Sequence, residues 1–122
     1  MRYFISIIPD PAYEAGKAVP QGIMDAMGPY IEKQVASGTL ISTAGLSNTR
    51  NGTRLEGRTG KITSTDGPFS EAKEVIGGYA VVEVPDKEAA LTVAREFVQM
   101  HIDNGMPDIA VEVRPIAGGH NF

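Results

Sequence analysis

The sequence has no cysteine. Disulfides, thiolate nucleophiles and cysteine-ligated zinc or iron–sulfur sites are therefore excluded, and the absence suits a reducing compartment. Nor is there a run of about 18 apolar residues, the length a membrane-spanning helix needs. The opening Met1-Arg2-Tyr3-Phe4-Ile5-Ser6-Ile7-Ile8-Pro9 has too short an apolar stretch for a signal peptide and is cut at once by Pro9. The expectation is a soluble, cytoplasmic protein with no membrane partner. Histidine is scarce, with only two in the chain, and no His-x-x-x-His spacing gathers metal ligands, so no structural metal is expected. Gly77-Gly78 lacks the Gly-x-x-x-x-Gly-Lys frame of a phosphate loop. Cations are in deficit, 11 Lys and Arg against 15 Asp and Glu, and the net charge of −4 argues against direct nucleic-acid binding.

What is present is one domain's worth of chain: 122 residues, 42% hydrophobic and 21% charged, enough to bury a single core. Residues 2–8 are aromatic and rich in Ile, and read as a buried strand stopped by Pro9-Asp10-Pro11. Residues 9–20 read as a loop. Ile23, Met27, Tyr30, Ile31 and Val35 form a helical stripe over residues 21–37, with a kink or restart expected at Gly28-Pro29 and a stop at Gly38. Thr39–Leu46 has strand propensity. Thr53–Arg58 and Lys61–Thr65 form a polar hairpin pattern about Thr59-Gly60, with only Leu55 and Ile62 to bury. Val75–Val84 is apolar on both faces and predicts a central strand, where Gly77-Gly78 marks a bulge or a close backbone approach. Asp86 caps a helix over Lys87–Ile102, Asn104-Gly105 closes it, and Ile109–Val113 is a last strand.

The element order β-α-β-(hairpin)-β-α-β predicts an α+β domain on the ferredoxin-like plan over residues 1–116, with 117–122 a flexible tail. Both helices cover one face of the sheet in that plan. The other face needs a cover, and burial at about 25 cal/mol per Å2 favours a second copy of the chain, hence a homodimer packed sheet on sheet.

Between hairpin and central strand stands Thr65-Asp66-Gly67-Pro68-Phe69-Ser70-Glu71-Ala72-Lys73-Glu74-Val75-Ile76-Gly77-Gly78-Tyr79. Asp66-Gly67-Pro68 is a turn signature, and Ser70–Glu74 is compatible with a single helical turn. The segment resembles the hallmark of the YCII-related (DGPF-domain) family, whose defining tetrapeptide is here Asp66-Gly67-Pro68-Phe69. The likeness extends to Met1-Arg2-Tyr3-Phe4 and Glu112-Val113-Arg114-Pro115-Ile116. The resemblance implies a dimeric α+β barrel of ferredoxin-like protomers. It also implies a His–Asp active site of the kind proposed in YCII-type relatives, and a link to transcription, since DGPF proteins are often encoded near sigma factors.

Two chemistries follow. In the first, Asp66 and His101 are an acid–base pair, with Lys73, Arg54 and Tyr79 binding a small organic anion; proton abstraction or isomerisation needs no cofactor. Each residue also has a plainer reading. Asp66 is suited to bond its own backbone at a turn, His101 to the negative end of a helix dipole, and Lys73 to an exposed charged turn with Glu71 and Glu74. His120 reads as a solvated tail residue. In the second chemistry the protein is a non-catalytic module. Arg50, Arg54, Arg58 and Lys61 against Glu56 put a local charge of +3 on the hairpin, which either meets a partner or guards an exposed edge. No aromatic residue interleaves these cations, which disfavours nucleic acid again.

Overall fold

Alternation in the first strand decides where the core lies. Tyr3 and Ile5 are buried and Ile7 follows them on the same side, while Phe4 and Ser6 point the other way. The computed structural model describes residues 1–69 and 75–119. Its elements are β1 (Arg2–Ile8), α1 (Pro11–Glu14), α2 (Gln21–Ala36), β2 (Leu40–Gly45), a 3-10 turn (Thr49–Asn51), β3 (Thr53–Arg58), β4 (Lys61–Asp66), β5 (Gly78–Glu83), α3 (Lys87–Asp103) and β6 (Ala110–Pro115). The main sheet is antiparallel throughout, in the order β2-β5-β1-β6. This is an α+β fold, and its strand order follows the ferredoxin-like plan. Tyr3, Ile5, Val82 and Val84 pack against Ala90 and Ala94 of α3, which places the helices over one face.

The helices obey their capping signals. The Asp86 side chain accepts from Ala89 N at 2.9 Å, and Gly105 (φ 101) follows the last turn of α3, where Met106 N donates to His101 O at 2.9 Å. α2 ends in paired bonds from Gly38 N to Val35 O and from Thr39 N to Gln34 O, both 3.0 Å. The expected restart at Gly28-Pro29 does not occur: α2 runs through Pro29 as one helix. Proline removes a single donor there, and the packing of Met27, Tyr30 and Ile31 over the sheet carries the helix across the gap.

Three further differences have local causes. The 9–20 loop contains α1, started by Asp10, whose carboxylate accepts from Ala12 N at 2.7 Å. Strand geometry in β5 begins at Gly78 rather than Val75, although Gly77 already donates to Ile7 O at 2.7 Å and accepts from Leu46 N at 2.9 Å. A Cβ on Gly77 would stand 3.0 Å from Pro9, and one on Gly78 would stand 3.0 Å from Ala44 O, which is the close approach those glycines foretold. Finally, β3 and β4 pair only with each other, joined by a type I′ turn with positive φ at Thr59 (47) and Gly60 (79). Nothing among the described residues covers this arm, and Leu55 and Ile62 stay 69% and 79% exposed instead of buried.

Candidate functional site

Toward the ends of β2, β5 and β1 nearest α1, the helices and sheet separate around a cavity of about 370 Å3. Its walls come from six elements: Ile7 of β1, Tyr13 of α1, Thr43 and Gly45 of β2, Gly78 of β5, Met27 of α2, and Phe97 and His101 of α3. Pro9, Tyr13 and Val19 close one side. Gly45 and Gly78 are register partners, so the sheet presents no side chain at that point and leaves the space open. The size suits a small organic molecule.

His101 occupies the last turn of α3 and is only 7% exposed. Its Nδ1 lies 2.9 Å from Phe97 O, and its ring is tilted over the Phe97 ring with centroids 4.3 Å apart. A carbonyl oxygen can only accept, so Nδ1 carries the hydrogen and Nε2 the lone pair. Among the described residues no protein group bonds Nε2. Tyr13 donates its hydroxyl to Leu46 O at 2.7 Å, and Thr43 donates to Tyr79 O at 2.9 Å.

The other candidates lie elsewhere. Asp66 ends β4 opposite Thr53 and accepts from the Thr53 hydroxyl at 3.0 Å; it is not among the residues lining the His101 cavity. The structure therefore does not bring Asp66 and His101 together within one chain. Arg54 sits over the Phe69 ring, 4.3 Å from its centroid, also away from the cavity. The Tyr79 side chain is on the sheet face opposite the helices, stacked on Phe4 at 5.7 Å, with its hydroxyl 3.3 Å from Ser42 Oγ. Lys73 and the Ser70–Glu74 turn, like His120, lie outside the described residues.

The Asp66-Gly67-Pro68-Phe69 segment has a visible structural task. Gly67 N donates to Gly52 O at 2.9 Å, and any Cβ at Gly67 would run into Thr49 O. Phe69 N donates to Thr49 Oγ1 at 3.0 Å. The Thr49 hydroxyl in turn donates to Glu14 Oε1, which also accepts from Thr49 N at 3.0 Å. The motif thus fastens the foot of the hairpin to α1. Glu14 Oε2 and Asn48 Oδ1 are buried here without a partner among the described residues. Tyr13, Glu14, Thr43 and Thr49 escaped sequence reasoning. An aromatic and a carboxylate just after Pro9-Asp10-Pro11 were the only hint that the loop carried a wall.

Two groups outside the cavity titrate unusually. Burial, then the Glu96 charge and hydrogen bond, push the Tyr30 phenol above its ordinary value, across a 3.1 Å contact between α2 and α3. Hydrogen bonds from the terminal ammonium, then from Arg2, hold the exposed Glu83 carboxyl below the usual range. No helix among the described residues is long and apolar enough to cross a membrane.

Comparison with known proteins places this geometry in context. An uncharacterized protein of Rhizobium meliloti (strain 1021) is 29% identical over 101 residues, which is 83% of this chain and 78% of the relative. The family model of the YCII-related domain matches residues 1–101, a span that takes in β1, the Asp66–Phe69 motif and α3 as far as His101. The chain belongs to the YCII-related family.

Proposed function

We propose that the protein binds a small, largely apolar molecule in the cavity beside His101, with the Nε2 lone pair as the hydrogen-bond acceptor and, where turnover follows, the general base. The observation that carries this reading is the cavity itself, about 370 Å3, apolar but for a few polar groups, and touched by an imidazole whose tautomer the Phe97 carbonyl sets. Asp66 takes the part of a positioning group at the hairpin foot, and Arg54 and Phe69 brace the same corner. The chain has five methionines, and Met24, Met27 and Met106 line the cavity while Met1 and Met100 do not. Methyl NMR of methionine-labelled protein reads occupancy directly. Small apolar probes should move the Met24, Met27 and Met106 methyls and spare the other two; a full set of probes that moves none would refute the reading.

The working unit in this proposal is a homodimer. The protomer exposes 7902 Å2, against about 6,300 Å2 for a compact monomer of its mass. The excess is of the order a standard interface buries. The helix-free sheet face, with the half-buried Phe4 and Tyr79, is the surface that a second copy would cover. Sedimentation should return twice the chain mass at micromolar concentration.

A second reading has its own observation. The stretch Arg50–Lys61 carries a local charge of +3, and the hairpin exposes two apolar side chains, Leu55 and Ile62, on one face, which suits contact with an acidic partner protein. In that reading, charge reversal of Arg50, Arg54 and Arg58 releases a partner captured from native extract, and the failure of any partner to appear counts against it.

A further inference from the structure

We propose that the cavity selects ligands that donate hydrogen bonds, a hydroxyl or amino group on a small apolar body, and rejects carboxylates. The inference rests on the ligand-binding reading above and adds the chemical class. Among the described residues three polar side chains line the space, and each has already committed its hydrogen to a backbone carbonyl. The Tyr13 hydroxyl donates to Leu46 O at 2.7 Å, the Thr43 hydroxyl to Tyr79 O at 2.9 Å, and His101 Nδ1–H to Phe97 O at 2.9 Å. A hydroxyl has one hydrogen and a neutral imidazole has one N–H, so what these groups can offer a ligand is lone pairs alone: two oxygens and Nε2. The Gly77 amide in the same wall is likewise spent, on Ile7 O at 2.7 Å.

A carboxylate in this space would lose its hydration and meet acceptors, with no Lys or Arg among the described lining residues to compensate. An ether would leave the lone pairs without a donor. A phenol, alcohol or amine satisfies one or more of them while its carbon body packs on Ile7, Met27 and Phe97. The ligand class therefore differs from the organic anion that the sequence suggests: Arg54 is not in the described wall, and Lys73 lies outside the described residues.

The test uses the full chain and three matched probes, para-propylphenol, para-propylanisole and para-propylbenzoate, titrated at about pH 8, where the free phenol keeps its hydrogen and the benzoate is ionised. Occupancy is read from the Met24, Met27 and Met106 methyls. The phenol should bind at least about tenfold more tightly than the anisole, the value of one good hydrogen bond, and the benzoate should bind weakest. Thr43→Val, which keeps shape and removes an acceptor, Tyr13→Phe and His101→Phe are the matched variants, one for each lone pair; the phenol preference should shrink in at least one. Equal binding of phenol and anisole, or tightest binding of benzoate, overturns donor selection while the cavity reading stands. If no probe moves those three methyls, both fall.

Discussion

The two ends of the same helix-on-sheet layer are built differently. At one end Tyr3, Ile5, Val82 and Val84 meet Ala90 and Ala94, and Val82 is fully buried. At the other, β5 reaches Gly78 beside Gly45 of β2, α3 reaches His101, α2 contributes Met27, and about 370 Å3 stays unfilled. The packed end needs small alanines so that α3 can lie close. The hollow end needs glycines so that nothing projects from the sheet. Tight packing and the proposed binding space are thus divided along β5 and α3, small side chains closing one end and glycines in the sheet leaving the other open.

That division can be broken from the packed end first. Val82→Ala should cost about 2–3 kcal/mol in denaturant unfolding, because the removed methyls leave a void that close-packed neighbours cannot fill. Met27→Ala removes more atoms and should cost less, about 1 kcal/mol, because part of its side chain already faces open space. An equal or larger loss at Met27 would mean that the hollow end is filled in solution. Gly45→Val tests the converse: nothing lies within 4 Å of an added Cβ. Its stability should stay within about 0.5 kcal/mol of the parent while affinity for para-propylphenol falls about tenfold or more. The smallest effect concerns the bridge between helices. The folded state holds the Tyr30 proton more tightly than the unfolded chain, so its contribution is intact below the ordinary phenol value of 10.0 and is lost as pH rises through the folded value. Tyr30→Phe should flatten the alkaline limb of the stability–pH curve and leave neutral pH little changed.

Much of this fold was legible because it rests on local rules. The Asp86 cap, the stop at Gly38, the Thr59-Gly60 turn and the end of β1 before Pro9 each act over a few residues, and each stands where the pattern placed it. The helix does not restart at Pro29 because the local penalty of a proline is smaller than the packing of a long amphipathic helix. The site was harder to read. His101 was visible as a histidine on an apolar stripe, but its surroundings depend on Tyr13 and Thr43, far away in sequence and silent in pattern. Asp66 and its motif looked catalytic because the motif is specific. The geometry gives that specificity a steric cause: Gly67 lies against Thr49 O, where only glycine fits.

The strand order has a consequence for how the chain is made. β1 pairs with β5 and β6 and with no strand between them, so the Arg2–Glu83 contact closes a loop of 81 residues. β1 leaves a ribosome well before β5 and β6, and must wait, unpaired and apolar, until they have followed it. Closing so long a loop before any of the sheet's burial is gained slows folding relative to a chain with local pairings. The β3–β4 hairpin needs no such delay, and can be complete while the strand that will form the centre of the molecule is still without a neighbour.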